Sequence, residues 1–392
     1  MAPQLPNEVV QGIVLAYSSL ANPREVAALA LVSPTFRSLT QQHLLSHLEL
    51  RSTTSVRQLL VNLERDTSIG EQARSLTVGR GTRQRLETTG RGKKKQDKSV
   101  EDAVTEEDLV KLCRALPNLA AVHLRETTFS SLRRRQLGCL SSLTHLATLS
   151  ISGRATAPFN LSTIGQLLLT LPRLQHLSLR SLNSPSSSLS GFSFPTCNLV
   201  SFALFTSASL SDKQLFWLLR SSLNAESLGS LAFDISPTLP PWALYPVRWA
   251  PIRTTDIYCT SEQTGAVENL PRHCPSLQQY TFRTSSRMNA ACLLESCDVF
   301  GTVTELSDAS EFSAGLHPLH LASALLERDE GAPAAIRRIR LSRTKRDLHD
   351  IRLLRVVCKL RSIELGFFDV QSDGEEPYIP EEFAMLRRVK LE

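Results

Sequence analysis

Apolar residues recur along this chain at relative positions 0, 3, 6 and 8. Leu116-Leu119-Val122-Leu124, Leu143-Leu146-Leu149-Ile151 and Leu171-Leu174-Leu177-Leu179 carry the spacing in full. So do Ala225-Leu228-Leu231-Phe233, Cys274-Leu277-Tyr280-Phe282, Val357-Leu360-Ile363-Leu365 and Phe383-Leu386-Val389-Leu391. Partial copies are Leu45-Leu48-Leu50, Ala73-Leu76-Val78, Leu199-Phe202-Leu204, Ile257-Cys259, Phe300-Val303-Leu306 and Ile336-Ile339-Leu341. In a chain that is 42% hydrophobic, four fixed positions match by chance in roughly 3% of windows, so a single copy proves little. The interval is the stronger signal. Measured at the last position, the steps are 28, 46, 27, 28, 25, 29, 26, 23, 26, 33, 24 and 26 residues, and ten of the twelve lie between 23 and 29. The last two apolar positions alternate, which predicts a short strand with one face in a core. The stretches between them read as helices. Thr105-x-x-Asp108 is a capping box ahead of Leu109, Leu112, Cys113 and Leu116, and Ser211-Asp212 leads Leu215, Leu218 and Leu219.

A period in the twenties with a Leu-x-x-Leu-x-Leu core is the leucine-rich-repeat signature. The predicted fold class is therefore α/β, a leucine-rich-repeat solenoid (a horseshoe of about 12 repeats) over residues 49–392. Two stretches interrupt the period. Between 79 and 98 there are eight Lys/Arg and no Val, Ile or Phe, which predicts a disordered basic loop over 79–100. Residues 236–253 hold Pro237, Pro240, Pro241, Pro246 and Pro251 beside Trp242 and Trp249, which predicts an irregular surface loop.

Ahead of the repeat, residues 1–48 predict three short helices. Pro6 suits a first helical turn, where its missing N–H costs nothing. Val9, Val10, Ile13, Val14 and Tyr17 then give one apolar face. Asn22-Pro23 begins a second helix, Arg24 to Val32, with Val26, Leu29 and Ala30 inward. Ser33-Pro34 begins a third, with Phe36, Leu39, His43 and Leu44 at near-helical steps. Three helices of this size bury little and leave an apolar side open, which points to a partner.

Composition narrows the function classes. Charged residues are 21% and the net charge is +6, much of it in the basic stretch. That stretch has no interleaved aromatics, which argues against single-stranded nucleic acid as its partner. The eight cysteines are widely spread and form no C-x-x-C pair, which favours a reducing compartment, cytoplasmic or nuclear. No run approaches the length of a membrane span. Enzyme motifs fail on inspection. His43 and His47 are spaced as in a zincin helix, but Leu44 stands where the general-base Glu belongs. Gly79-Arg80-Gly81 lacks the third glycine of a dinucleotide loop. No cofactor or metal is expected.

Residues flanking the strand apolars point away from the core and would line the partner-binding face. They are His123, Arg125, His176, Arg180, Gln279, Arg283, Arg338 and Arg340, with acidic residues such as Asp234 and Glu364 fewer. The bias predicts an acidic or phosphorylated protein partner.

Leu5-Pro6-x-Glu8-Val9, Ile13 and Leu31-Val32-Ser33-x-x-Phe36-Arg37 together resemble an F-box. With the repeats behind it, the chain is similar to the F-box/leucine-rich-repeat family. The resemblance implies a non-catalytic substrate receptor of a Skp–cullin–F-box ubiquitin ligase. Leu5, Pro6, Glu8, Val9, Ile13, Val32 and Phe36 would then bind or support the Skp-family adaptor, and through it a cullin. A leucine-rich-repeat interaction scaffold without ligase function is the other reading. The chain departs from the family where Ser33 replaces the common cysteine and where no tryptophan closes the box. The usual ladder position holds Thr127, Ser207, Ser236, Ser285 or Thr344, so no regular asparagine ladder is expected.

Overall fold

The computed structural model describes residues 6–18, 28–79, 104–125, 138–152, 159–180, 182–183, 193–205, 212–235, 251–259, 264–310, 314–328, 335–342, 345 and 349–368. Leu5, the basic stretch 80–100, residues 236–250 and the last apolar copy from Phe383 to Leu391 lie outside these. The chain is α/β and forms two compact units that divide between 154 and 155.

In the first unit, helix α1 (Asn7–Ser18) buries Val10 and Val14. A 3₁₀ turn follows at Leu29–Leu31, where a helix from Arg24 was expected; residues 19–27 lie outside the described set. Helix α2 (Pro34–Ser46) starts where the sequence places it. Ser33 is its N-cap, accepting the Phe36 N–H (3.3 Å), and Pro34 takes the first turn. It runs straight into strand β1 (His47–Leu50) with no residue between. Helices α3 (Thr53–Arg65) and α4 (Ser68–Gln72), strand β2 (Ser75–Val78), helix α5 (Glu106–Ala115), strand β3 (Ala121–Leu124), a 3₁₀ turn at Leu140–Ser142 and strand β4 (Thr148–Ser152) complete the unit. The expected capping box on α5 is present, with Thr105 and Asp108 each accepting the other's backbone N–H. β1 to β4 pair parallel in chain order, with Leu50, Val78, Leu124 and Ile151 in one row.

The second unit holds a two-stranded pair, β5 (Phe159–Asn160) with β7 (Leu182–Asn183), and a longer parallel sheet. That sheet runs β6 (His176–Arg180), β8 (Ser201–Phe205), β9 (Ser230–Ile235), β10 (Thr254–Cys259), β11 (Gln279–Thr284), β12 (Glu305–Asp308), β13 (Arg338–Ser342) and β14 (Glu364–Phe368). The helices between are α6 (Leu161–Leu169), α7 (Asp212–Asn224), α8 (Thr264–Asn269), α9 (Ala290–Asp298), α10 (Pro318–Glu327) and α11 (Ile351–Leu360). α10 and α11 lie side by side and parallel. His317 is 3.7 Å from Asp350 at one end, and at the other the Arg361 guanidinium donates to the Leu326 and Arg328 carbonyls (3.0 and 2.7 Å).

Register bears out most of the apolar rows it covers, with two corrections. At β14, Ile339 and Leu341 pair with Leu365 and Phe367, so the copy expected at Ile363-Leu365 lies two residues too early. Leu231 and Phe233 pair with Thr255 and Ile257, and these with Tyr280 and Phe282. The copy expected at Ile257-Cys259 is therefore two residues too late. Its true inward pair is Thr255-Ile257, and Thr255 is buried. A search for apolar residues passes over a β-branched hydroxyl that packs like valine. A second surprise is Asp308, which occupies the row of Phe282 and Leu341 and is fully buried.

Backbone groups between strands are satisfied by one repeated device. The carbonyl just before a strand accepts the N–H groups of two consecutive residues leading into the next strand, at 2.7–3.1 Å. Arg74 and Ala120 do this in the first unit, and Gln175, Val200, Gly229, Arg253, Gln278 and Thr304 in the second. Buried serines away from the ladder position, on α7, on α9 and just after β12, take further backbone N–H groups. Ser222, Ser296 and Ser310 accept the N–H of Leu199 (2.7 Å), Arg272 (3.2 Å) and Thr284 (2.9 Å), each 23 to 26 residues upstream. A buried N–H left without an acceptor is costly, so these hydroxyls are structural.

Candidate functional site

Two kinds of surface answer the expectations, an apolar one in the first unit and the outward sides of the strands in each unit. The first is apolar. Because α1 turns Val10 and Val14 inward, helical spacing turns Val9 and Ile13 outward, at 46% and 39% exposure. The 3₁₀ turn adds Leu31 and Val32, at 83% and 64%. Phe36 is half-buried, and Pro6 and Glu8 are exposed. The geometry is held locally. The Val9 and Val10 N–H groups donate to the Pro6 carbonyl (both 3.1 Å), and the Val32 N–H to the Leu29 carbonyl (3.1 Å). The Arg37 side chain reaches back to the Ala30 carbonyl (3.4 Å) and ties α2 to the turn.

Six of the seven expected adaptor residues are therefore described, and all six sit on these adjoining elements. Leu31, the most exposed large hydrophobic side chain among the described residues, was in the motif but was not singled out. A face of this chemistry can exclude water and dock an apolar partner; it holds no nucleophile or acid–base pair. His43 and His47 lie nearby with ring centroids 5.1 Å apart. Burial and the neighbouring imidazole lower the His43 pKa. Among the described residues, no group of three or more His, Cys, Asp or Glu could hold a metal.

The second face is the outward side of the strands. His123 and Arg125 belong to β3 and its end in the first unit, and both are half-buried. The other expected residues fall in the second unit, where register sorts them. His176 starts β6 and Arg180 ends it; burial lowers the His176 pKa. On β8 and β9 the outward residues Ser201, Ala203, Ser230, Ala232 and Asp234 are buried, while Phe205, level with Arg180, is half-buried. The outward side is therefore closed there, and Arg180 is separated from Arg283 by covered strands. Strands buried on both faces read as continuous apolar runs, as Ser201-Phe202-Ala203-Leu204-Phe205 does.

From β10 onward the face opens and carries charge. Arg338 and Arg340 are paired. Glu364 takes the Arg338 guanidinium at 2.8 Å, and Glu305 takes Arg340 at 3.1 Å and Arg338 at 3.6 Å. Two carboxylates thus balance two guanidiniums, and the expected positive bias is absent at this end. Glu305 was missed because its segment is a weak copy, so its outward position could not be read. Arg283 differs. It lies over the exposed Tyr258 ring (5.9 Å to the centroid) on the neighbouring strand. Asp256, half-buried on the same face, has its pKa pushed up to about 7 by burial, although the Arg283 charge pulls it down. Asp256, Tyr258 and Arg283 form a compact polar cluster flanked by Ala232 and Thr281.

Among the described residues, no helix is long and apolar enough to cross a membrane. No family model matches this chain, and no curated protein matches it significantly.

Proposed function

We propose that this chain is a receptor subunit whose N-terminal helices dock a Skp-family adaptor of a cullin ubiquitin ligase and whose strand face holds a protein substrate. The observation that carries the reading is the set of outward apolar side chains Val9 and Ile13 on α1 and Leu31 and Val32 at the 3₁₀ turn, two elements that each pack on α2. Apolar side chains grouped on adjoining short elements form the kind of patch that marks a protein interface. The order of the F-box-like motif and the strand–helix period behind it supply the specific partner. On this reading the finer architecture is a leucine-rich-repeat solenoid behind an F-box. The chain performs no covalent step itself. It contributes proximity, and the direct passage from α2 into β1 favours a fixed geometry between adaptor and repeats.

The Asp256–Tyr258–Arg283 cluster is the place on the strand face best equipped for a polar partner. With Arg338 and Arg340 neutralised, an acidic or phosphorylated ligand would depend on Arg283, and separately on Arg180. The test is capture of purified Skp-family adaptor by the full chain. Val9→Asp with Ile13→Asp, and independently Val32→Asp, are expected to reduce capture by at least about tenfold, since a charge forced into an apolar interface costs well over 1.4 kcal/mol. Failure of the intact chain to capture adaptor would leave only the scaffold reading.

A further inference from the structure

Among the described residues, the sheet of the second unit ends at β14, which pairs with β13 alone. In a parallel pair, alternate N–H and C=O groups of the last strand point away from its neighbour, so β14 presents an edge. Its inward residues are also incompletely covered. Leu365 and Phe367 continue the rows of Ile339 and Leu341. Ile339 and Leu341 are fully buried, whereas Leu365 and Phe367 are half-buried. Helix α11 carries charge of one sign beside this edge. Ile351, Leu354, Val357 and Cys358 are buried, and Arg352, Arg355 and Lys359 recur at helical spacing and are exposed. No acidic residue stands between Ile351 and Leu360. The Arg355 guanidinium lies over the Phe367 ring, 5.7 Å from its centroid, which places the basic stripe on the β14 side of the helix. The end of the sheet therefore joins a strand edge, half-covered apolar side chains and a row of cations.

A second copy meeting this surface through the same surface would set one basic stripe against another, which is unfavourable. The chain itself continues from Phe368 with a complementary sequence. Residues 369–392 lie outside the described set. Within them, 373–382 hold Asp373, Glu375, Glu376, Glu381 and Glu382 and no Lys or Arg. Phe383, Leu386, Val389 and Leu391 follow at the repeat spacing, and Val389 and Leu391 stand 24 residues after Leu365 and Phe367. Twenty residues lie between Phe368 and Val389, and a return to the same edge needs a connection of about a dozen or more. We propose that residues 373–391 dock on the end face formed by β14 and α11, with the acidic stretch on Arg352, Arg355 and Lys359 and the apolar residues against Leu365 and Phe367. Attachment favours this occupant over a separate protein, because a short tether raises its effective concentration to about the millimolar range. Repeat arrays need such a cover, since the terminal unit otherwise leaves its apolar flank in water. The inference stands whether or not an adaptor binds the first unit.

The experiment uses the purified full chain and amide hydrogen exchange read by mass spectrometry. Leu386→Asp with Val389→Asp is expected to speed exchange in peptides covering α11 and β14 by at least about tenfold, while peptides from β10 to β12 stay unchanged. Charge supplies a second arm. Arg352→Glu with Lys359→Glu should speed exchange at β14, and so should Glu375→Lys with Glu381→Lys. The four changes together should restore protection in part, which would not follow if either pair acted only on its own element. Protection in the intact chain should be the same at about 1 and about 100 µM protein, as an intramolecular contact requires. The proposal is overturned if the intact chain and the Leu386/Val389 variant exchange alike, which would leave the face to a separate protein. It is also overturned if the combined charge changes give no rescue, or if protection is lost on dilution, which would assign the face to a second copy.

Discussion

At the scale of single residues, the chain departs from its own apolar rule most sharply at Asp308. A carboxylate in a core row persists only when fully partnered. Its Oδ1 accepts the Ser310 N–H (2.9 Å), its Oδ2 accepts the Leu316 N–H (2.7 Å), and the fully buried Lys345 ammonium pairs with Oδ2 and donates to the Leu316 carbonyl (3.1 Å). Burial lowers the Lys345 pKa while Asp308 holds it up. Gly315 makes the approach possible. Its φ is +69°, and a Cβ there would lie 2.5 Å from both carboxylate oxygens. Lys345→Met should therefore destabilise the second unit by about 3–5 kcal/mol in urea melts, the cost of an uncompensated buried charge. Asp308→Asn with Lys345→Met should recover a large part of that loss. None of this was legible in sequence, because the partners are 37 residues apart and neither stands in a motif. Asp256 carries a second prediction at this scale. Its folded pKa is raised to about 7, so the native carboxyl keeps a proton that the unfolded chain loses near pH 4. Its effect on folding is neutral below about pH 4, destabilising as pH rises towards 7, and constant above that. Asp256→Asn should raise Tm at pH 8 by roughly 2–4 °C for each kcal/mol relieved and leave it unchanged at pH 4.

At the scale of elements, two local signals contained within one turn were readable. The cap at Ser33-Pro34 and the capping box at Thr105 were placed correctly because each is a short-range hydrogen-bond problem. Thr105→Ala should cost about 1 kcal/mol, seen as a lower urea midpoint with an unchanged slope. Strand placement was readable for most copies, but it slipped by two residues at β10, where Thr255 fills an inward position, and at β14, where Leu365 and Phe367 continue the rows expected at Ile363 and Leu365. Parity survived both slips because side chains alternate, so the core face was still identified. Long-range helix packing was not readable. In α6, Gly165 lies under the Trp217 ring of α7, and a Cβ there would meet ring atoms at 2.0 Å. Gly165→Ala favours the helix by about 1 kcal/mol in isolation, yet it should destabilise this protein by forcing Trp217 out. A shift in Trp fluorescence would accompany the lower Tm. The buried serines belong here too, because each accepts an N–H 23 to 26 residues upstream and stands in no motif. Ser222→Ala and Ser296→Ala should each cost roughly 1–3 kcal/mol by orphaning a backbone N–H.

At the scale of the whole molecule, two surfaces of opposite chemistry can be told apart by salt. The N-terminal face is built from Val9, Ile13, Leu31 and Val32, and the one acid among the residues proposed to bind the adaptor is the exposed Glu8. Association there is driven by apolar burial, which added sodium chloride leaves intact. The strand face offers Arg283 with Tyr258 and Asp256, and Arg180 on β6. A partner held by those guanidiniums is held by charge, which is screened as the Debye length falls from about 10 Å at 0.1 M to about 3 Å at 1 M salt. Net charge of +6 adds a general attraction for acidic partners with the same sensitivity. Capture of adaptor and of a synthetic phosphopeptide, measured side by side between about 0.05 and 0.5 M sodium chloride, should therefore diverge. Adaptor capture is expected to change by less than about twofold, while phosphopeptide capture falls by about tenfold or more. Arg283→Glu should abolish most of the salt-sensitive component and leave the other untouched. A strongly salt-dependent adaptor interaction would mean that the basic residues, and not the outward apolar cluster, carry it. The role assigned to Val9, Ile13, Leu31 and Val32 would then be lost even if the adaptor were still captured.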